Sequence, residues 1–392
     1  MITKVYKLTL LKKLAISGKY CFLAMVFSLI AFSCIEESSK VIDKFKGEEK
    51  EVIFSINIPS ANDVTPQLRS INLAQENTIQ RVDLVAFHKD NTGSYFDYYY
   101  QGTLDSNKTP GESTQNCRVK VRLASYAQDL VIITNAGTRV IDLINSGSGQ
   151  GTSKEDFLAR LEYVLPKAGN TWYAVSASDY DAIPMWGETS TTVTQNTTQL
   201  SVSLLRMLAK IDVQLDVTNS AAIKSVFKMK SVSLYNTLTN GRIAPNSSNI
   251  RQPGDSVIAP SLPTAPANYV GPLVYQDFTA PGTPDVAMKG AIYLFETKAP
   301  VTTDSLSPLS ATCVVIGGLY TTDTAQSYYR VDFLKNGKFQ DILRNHRYLV
   351  NITSVTGRGY PTPDEAYRNK AVNMGVYIIV WDEGNTYNVD LK

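Results

Sequence analysis

Short segments in which apolar and polar residues alternate recur along most of this chain, and they restrict its fold more than any other feature. The clearest of them are residues 51–58, 79–87, 119–123, 207–217 and 348–355. Alternation with a period of two puts one side-chain set on each face of a β-strand, and glycine, proline and asparagine separate the segments. One clear helix signal interrupts them, since Ser153 with Asp156 opens a segment running from Lys154 to Tyr163. We therefore predict a mainly β protein of antiparallel β-sandwiches with few short helices.

The length of the chain predicts two domains. Its 392 residues exceed one average domain, and hydrophobic residues at 43% suffice for two cores. The long alternating strand at 207–217 ends just before Thr218. We place the boundary there, which gives an N-terminal domain at 51–218 and a C-terminal domain at 219–392.

The first 33 residues are typical of an export signal. They contain five lysines and no acidic residue, and residues 20–33, which lead up to Cys34, are uncharged. That run of 14 residues is shorter than the roughly 20 that a membrane-spanning helix needs. Ala31-Phe-Ser-Cys34 resembles the lipobox of bacterial lipoproteins, whose cysteine is acylated. We predict a signal peptide at 1–33, lipidation of Cys34 and a charged tether at 34–50; an ordinary signal peptide with an incidental cysteine is the alternative.

Charge and cysteine content exclude some functions. Removing residues 1–33 leaves 33 basic and 36 acidic residues, a net charge of −3, which gives no electrostatic basis for binding nucleic acid. Cys117 and Cys313 remain in the predicted domains, either as a disulfide or as two buried free thiols. No cysteine and histidine spacing suggests zinc, so we predict neither metal nor cofactor.

Residue patterns that sometimes mark catalysis are isolated here. Ser225 and Lys228 have the Ser-x-x-Lys spacing, but in a region that we predict to be strand-like and without the partner motifs. His88 and His346 have no catalytic neighbour in sequence, and no paired carboxylates stand out. We therefore predict that the protein is not an enzyme. The aromatic run Tyr95–Tyr100 has two interpretations, a binding patch for sugar or protein, and packing within a sheet.

Several stretches, taken in order, resemble the FimA-type fimbrillins, the type V pilus subunits of Bacteroidales. The matching stretches are Glu76 to Phe87, Leu130 to Gly137, Ile183 to Gly187, Leu205 to Val213, Leu343 to Tyr348, Gly357 to Tyr360 and Asp364 to Ala366, with Trp381 before the tail. The resemblance covers the chain from about residue 50 to its end.

This resemblance implies a specific fold and life history. Members of the family have two transthyretin-like β-sandwich domains and are exported as lipoproteins to the outer membrane. An arginine-specific, trypsin-like protease then removes the first strand, and the C-terminal strand of another subunit fills the groove. The resemblance therefore implies a pilin of a cell-surface fimbria that assembles with copies of itself or related subunits, supports adhesion and contacts host glycan or protein.

Two segments have the alternation that strand exchange requires. A sandwich that lacks one strand exposes unpaired backbone groups and an apolar trough, which an alternating segment can fill. We predict that the removable first strand presents Val52, Phe54, Ile56 and Ile58 on one face. We predict that the donor strand at the chain end presents Tyr387, Val389 and Leu391.

One arginine stands between the first strand and the next. Arg69, followed by Ser70, lies in a polar segment with Pro66, which predicts an exposed loop that a protease can reach. Residues 51–69 would then comprise the removable strand and the cleavage loop. Arg81 is the next arginine, and we predict it to be a poorer target because it lies inside a predicted strand.

Other functions remain open from the sequence. The protein could be an anchor or tip subunit that keeps its first strand, or a lipid-anchored surface adhesin that never polymerises. A third class is a secreted hydrolase or carbohydrate-binding module on a β-sandwich.

Overall fold

A computed structural model describes most of the chain. The residues described are 47–58, 76–105, 114–164, 182–238, 240–245, 269–270, 273–276, 286–300, 307–335, 337–381 and 386–390. Among them, no helix combines the length and the apolar character that crossing a bilayer requires. They all belong to one compact unit, Gly47–Lys392.

The N-terminal part forms an eight-stranded sheet in the order β8-β1-β4-β3-β2-β5-β7-β9. The strands are β1 (Glu49–Asn57), β2 (Val82–Lys89), β3 (Ser94–Leu104), β4 (Thr114–Arg122), β5 (Gln128–Thr134), β7 (Met185–Thr191), β8 (Gln199–Ser203) and β9 (Leu205–Arg206). The short β6 (Glu162–Val164) lies outside this sheet. The strand β1 begins at Glu49, so the last two residues of the predicted tether, Glu49 and Lys50, belong to the strand.

This sheet folds over on itself around one apolar core. Strand β3 pairs with β2 as far as Gly102 and with β4 only at Thr103 and Leu104. A Cβ on Gly102 would lie 2.8 Å from a methyl of Val119, so this crossing needs glycine. The core combines buried side chains from β1, β4 and β8 with those from β2, β5 and β7. The arrangement is a β-sandwich made from one curled sheet.

The C-terminal part has two separate sheets. Five strands run in the order β16-β10-β21-β22-β23 and four in the order β15-β11-β17-β18. The strands are β10 (Leu208–Leu215), β11 (Phe227–Tyr235), β15 (Leu273–Gln276), β16 (Ala287–Phe295), β17 (Cys313–Tyr320), β18 (Ser327–Asp332), β21 (Arg347–Val355), β22 (Met374–Trp381) and β23 (Thr386–Asp390). A second apolar core joins side chains of β10, β16, β21 and β22 to those of β11, β17 and β18. This part is therefore a second β-sandwich.

Three two-stranded sheets account for the remaining strands among the described residues. They pair β6 with β13 (Asn240–Arg242), β12 (Thr237–Leu238) with β14 (Tyr269–Val270), and β19 (Leu334–Lys335) with β20 (Lys338–Phe339). The β6–β13 pair links a strand from the N-terminal part to one from the C-terminal part.

In the part of the chain that the structure describes, five short helices connect the strands. They span Arg139–Asn145, Lys154–Arg160, Ser220–Val226, Ser307–Ser310 and Pro363–Arg368. Ser153 caps the second of them by accepting a hydrogen bond from the backbone N–H of Asp156 at 3.1 Å, as the sequence predicts. That helix ends at Arg160, before the predicted Tyr163, because β6 begins at Glu162.

The predicted fold class is confirmed, with a difference in detail. The protein is mainly β and has two sandwich cores. Most pairings are antiparallel, but β1 with β8 and β10 with β21 are parallel. Alternation predicts that a segment is a strand and does not report its direction, so the sequence could not show these two pairings.

The chain passes from the first sandwich to the second at Met207. Strand β9 pairs with β7, and β10 pairs with β16 and β21. The change from one sandwich to the other therefore lies 11 residues before the predicted boundary at Thr218. That 51–218 and 219–392 are separable domains stays a prediction.

Candidate functional site

The first strand pairs with one neighbour along its whole length and with a second along its C-terminal half. Strand β1 runs antiparallel to β4 from Glu49 opposite Arg122 to Asn57 opposite Thr114. On its other side it runs parallel to β8, from Ile53 opposite Gln199 to Asn57 opposite Ser203. In the described part of the chain, β8 has no ladder partner other than β1. Strand β1 therefore connects β8 to the rest of the sheet.

One face of β1 is fully buried in the first core. Val52, Phe54, Ile56 and the following Ile58 each have 0% of their surface exposed. Burying an aliphatic or aromatic side chain contributes about 1.5–3 kcal/mol, so the four together contribute on the order of 6–12 kcal/mol. The face that alternation predicts is the one observed. An empty groove in this position would expose an apolar surface and two unpaired strand edges.

Polar contacts at the start of β1 lie near the surface. Glu49 accepts hydrogen bonds from the hydroxyl of Tyr100 and from Lys120, the latter at 3.3 Å. The hydrogen bond from Tyr100 is the main reason why the pKa of Glu49 lies below its usual value. Glu48 accepts a hydrogen bond from Gln195 at 2.9 Å. Exposed contacts of this kind contribute little and weaken with salt, so the apolar face holds the strand.

Strand β8 has a second attachment, through packing. A Cβ on Gly187 of β7 would lie 2.3 Å from the carbonyl oxygen of Ser203 and 2.9 Å from side-chain atoms of Val202 and Leu204. Glycine thus lets the β8 backbone rest directly on β7. This contact keeps β8 against the core independently of β1, so β4 and β8 can serve as the two walls of a groove.

A free thiol lies in the wall opposite β1. Cys117 of β4 faces Phe54 in the ladder and is buried and free. Burial raises the pKa of its thiol to about 12. Cys313, in the second sandwich, is also buried and free, and burial raises its pKa to about 12. Of the two alternatives left open by the sequence, the structure has free thiols rather than a disulfide.

The chain beyond the predicted cleavage loop is tied to the second sandwich. The carboxylate of Glu76 contacts Lys210 at 2.5 Å and the hydroxyl of Tyr293 at 2.8 Å. Arg206 donates to the carbonyl oxygen of Glu76 at 3.3 Å and also binds the side chain of Asn77. We call these contacts of Glu76 with Lys210, Tyr293 and Arg206 the Glu76 anchor. The sequence does not reveal it, because the partners of Glu76 are more than 100 residues away.

Neighbouring groups at the Glu76 anchor outweigh the effect of burial on the pKa values of Glu76 and Lys210. Burial alone would raise the pKa of Glu76, but Lys210, Arg206 and the Tyr293 hydroxyl outweigh burial, and the pKa lies below its usual value. Burial alone would lower the pKa of Lys210, but Glu76 and Asp212 outweigh it, and that pKa is raised. Both groups are therefore charged at neutral pH.

Arg81 is held in contacts of its own. Its guanidinium donates to both carboxylate oxygens of Asp83, at 2.8 to 3.0 Å, and to the hydroxyl of Tyr99 at 3.0 Å. Strand β2 begins one residue later, at Val82. The prediction that Arg81 lies inside a strand was therefore wrong, since Arg81 precedes β2. That Arg81 is a poor target stays a prediction, supported by a side chain that is already engaged in contacts.

The chain end lies along the edge of its own sheet. Strand β23 pairs antiparallel with β22, from Thr386 opposite Trp381 to Asp390 opposite Tyr377. It forms one edge of the five-stranded sheet. Tyr387 and Val389 belong to this strand, and their role as donor residues stays a prediction.

Several predicted site residues lie outside the part of the chain that the structure describes. They are Cys34, Arg69, Ser70 and Leu391, together with the signal peptide. Their roles in lipidation, cleavage and strand donation stay predictions.

Other residues that drew attention in the sequence have structural contacts. His88 stacks on Tyr126 with ring centroids 3.9 Å apart. Ser225 lies in the last turn of the helix Ser220–Val226 and donates to the carbonyl oxygen of Ala222 at 2.6 Å. The predicted strand-like setting of Ser225 was therefore wrong; strand β11 starts at Phe227. Within the described ranges, no group of three or more possible metal ligands occurs.

The aromatic run in β3 packs into the sheet. Tyr98 is buried and donates to Gln128 at 2.6 Å, and Tyr99 donates to Asp83 at 2.7 Å. These hydroxyls are used within the protein. The contacts favour packing over a binding patch.

Comparison with known proteins identifies the fold. No family model and no curated protein matches the chain. Among solved structures, the tip fimbrial protein Mfa3 from Porphyromonas gingivalis, determined with a C-terminal truncation, is similar at a TM-score of 0.51 and 12% identity. That likeness covers 85% of this chain and 100% of the other. A fimbrial assembly protein from Parabacteroides distasonis has a TM-score of 0.46 and 12% identity, over 88% of this chain and 100% of its own.

The first of these likenesses defines the class of fold. This chain shares the fold of a fimbrial tip protein, and the fimbrillin-type fold predicted from its sequence is confirmed.

Proposed function

We propose that this protein is a structural subunit of a type V-like fimbria that assembles by donor-strand exchange and supports adhesion. One observation carries the proposal. Strand β1 occupies a slot between β4 and β8, buries four apolar side chains there and is the ladder partner of β8. A subunit that lost this strand would need a replacement, because bare strand edges and apolar surface are unfavourable in water.

The same proposal includes an export and trimming route. The subunit reaches the outer membrane with lipid on Cys34, and an arginine-specific protease cuts between Arg69 and Ser70. The cut releases lipid and β1 together. The retained chain then begins a few residues before the Glu76 anchor, whose contacts with Lys210 and Tyr293 hold it in place.

Polymerisation follows when the chain end of a second copy enters the empty slot. Three apolar side chains contribute roughly 5–8 kcal/mol on burial, and about six strand hydrogen bonds add on the order of 1 kcal/mol each. Ordering seven residues costs roughly 1–2 kcal/mol per residue in backbone entropy. The balance is modest, so a durable fibre depends on completing the fold of the first sandwich as the donor docks.

Mass spectrometry of surface-purified protein tests the route. We expect an N-terminus at Ser70 and a ladder of high-mass species on a denaturing gel. Arg69→Lys should keep Cys34 on the chain and remove the ladder, whereas Arg81→Lys should change neither. Deleting residues 386–392 should remove the ladder and leave trimming intact. An acylated N-terminus at Cys34 in the fibre itself would contradict the proposal.

A second candidate is an anchor or tip subunit that keeps β1. The likeness to a fimbrial tip protein favours it, as does the chain end lying on its own sheet. Such a subunit would stay acylated at Cys34 and would sit at one end of a fibre. Immunogold labelling distinguishes the two, since a stalk subunit labels the whole fibre and a tip or anchor subunit labels one end. We propose no catalytic activity for either form.

A further inference from the structure

The chain end repeats the residue pattern of β1 in the same order. Residues 53–58 read Ile-Phe-Ser-Ile-Asn-Ile, and residues 386–391 read Thr-Tyr-Asn-Val-Asp-Leu. Each position keeps its chemical class: β-branched, aromatic, small polar, β-branched aliphatic, Asn or Asp, and Ile or Leu. Strand exchange alone requires only alternation, and an alternating segment could enter a groove in either direction. A match of type at six successive positions specifies one direction.

We propose that the chain end of a second copy replaces β1 in the same direction and register, with Thr386 in the place of Ile53. The inference rests on the proposed function and adds the geometry of the exchange. The donor would run antiparallel to β4 and parallel to β8, as β1 does.

The inward face of the groove favours this register. Phe54, Ile56 and Ile58 have no exposed surface, so their places are closely packed. In the same direction, Tyr387 enters the aromatic place and Val389 and Leu391 enter the aliphatic ones. A reversed donor that keeps all three apolar side chains in the groove would put the tyrosine ring at Ile56 or Ile58, and inserting a larger side chain into a packed core is unfavourable.

The outward face agrees with it. Ile53 and Ser55 are half-buried and Asn57 is exposed, and their places would be taken by Thr386, Asn388 and Asp390. All three donor residues are polar and suit a face that contacts solvent. One position differs, since Asn385 falls at the fully buried Val52. The donor thus fills three of the four apolar places.

Cross-linking of four double variants tests direction and register together. Ile53 lies opposite Arg118 and Asn57 lies opposite Thr114, and both β4 residues have exposed side chains. The first pair of double variants is Arg118→Cys with Thr386→Cys, and Thr114→Cys with Asp390→Cys. The matched controls exchange partners: Arg118→Cys with Asp390→Cys, and Thr114→Cys with Thr386→Cys. Each full chain is expressed in cells, and the fibres are mildly oxidised and analysed by non-reducing gel and peptide mass spectrometry.

We expect the first two variants to link neighbouring copies covalently and the two controls to give at least tenfold less product. Links in the controls instead would show the reverse direction and overturn the inference, while the ladder of the unaltered protein would leave strand exchange standing. Links within one copy would also overturn it. Absence of the ladder from the unaltered protein would overturn the proposed function as well.

Substitutions at Tyr387 provide a second readout that needs no cysteine. Tyr387→Phe should keep the ladder, because phenylalanine is the residue that occupies this place in β1. Tyr387→Ala should reduce the ladder at least tenfold. Equal ladders for both variants would contradict the placement of Tyr387 in the place of Phe54.

Discussion

Single residues decide how β1 is held and what its loss exposes. The apolar side chains of the strand are fully buried, while its charged residues near Glu49 make surface contacts. Cys117 faces Phe54 across the ladder. A thiol, whose alkylation can be measured, therefore lines the groove.

The two free thiols report whether the groove is filled. Cys117 should resist alkylation in the uncut subunit, since burial raises its pKa to about 12 against an ordinary value of about 8.5. Trimming without a donor should increase its labelling at least tenfold, and assembly should restore protection. Cys313 provides the internal control, since it is buried in a separate apolar cluster of the second sandwich and should stay unlabelled throughout. Quantitative peptide mass spectrometry measures both; equal labelling of the two after trimming would contradict an opened groove.

The Glu76 anchor should make stability depend on acid. The pKa of Glu76 is lowered on folding, so its contribution is present above the unfolded value of 4.5 and is lost as pH falls through the folded pKa. Lys210 has a raised pKa, so its contribution is present below 10.5 and both act at neutral pH. Glu76→Gln should lower the free energy of unfolding by about 3–5 kcal/mol at pH 7.5, because it leaves a buried lysine without its partner.

Denaturant titrations at pH 7.5 and pH 4 measure this effect. The difference between the unaltered protein and Glu76→Gln should shrink at the lower pH. Glu365→Gln, an exposed carboxylate in the helix Pro363–Arg368, should have almost no effect at either pH. A difference that does not change with pH would show that the charge of Glu76 is not the cause.

At the scale of elements, alternation predicted strands well and their partners poorly. The segment at 51–58 is a strand with the predicted face inward, and Ser153 caps a helix as expected. Strand order and the parallel pairing with β8 depend on contacts between residues far apart in sequence. The helix Pro363–Arg368 was missed although Thr362 caps it, Pro363 starts it and Glu365 follows, which together are a readable start signal.

The candidate site could be predicted in part from the sequence. The two alternating segments were recognisable because each carries its pattern within a few residues. The Glu76 anchor could not be recognised, since it joins groups separated by 134 residues in the case of Lys210. The second wall of the groove, which depends on Gly187 beneath β8, was equally hidden.

The mismatch between donor and groove predicts a stabilising substitution. In the inferred register, Asn385 occupies the place of Val52, which is fully buried. Asn385→Val should make the fibre more stable, by about 1.5–3 kcal/mol per interface, because an apolar side chain then fills the place. The temperature at which the ladder dissociates in detergent measures this. Asn388→Val, on the outward face, is the control and should change it little; a lower temperature for Asn385→Val would contradict the register.

At the scale of the whole molecule, the two sandwiches have separate cores, and removal of β1 by trimming affects only one of them directly. Strand β1 contributes to the first core alone. The second core is formed by strands that come later in the chain. The Glu76 anchor attaches the retained segment to β10 and β16 of that sandwich. Removal of β1 should therefore weaken one half of the molecule selectively.

Hydrogen exchange can measure that selectivity. After trimming without a donor, amides of β4 and β8 should exchange at least tenfold faster, since both lose their pairing with β1. Amides of β11 and β17, which pair with each other in the second sandwich, should keep their rates. Mass spectrometry of peptic fragments compares the uncut and cut protein. Faster exchange throughout both halves would show that the sandwiches do not behave independently.

The position of β1 between β4 and β8 also bears on how a filament could grow. If each member completes its predecessor, the two extremities of the polymer differ chemically: one displays a vacant slot and the other an unused tail. Growth then has a polarity, and a terminator must either retain its own leading strand or lack a tail. A mixture of cut and uncut molecules would for this reason set filament length through their ratio.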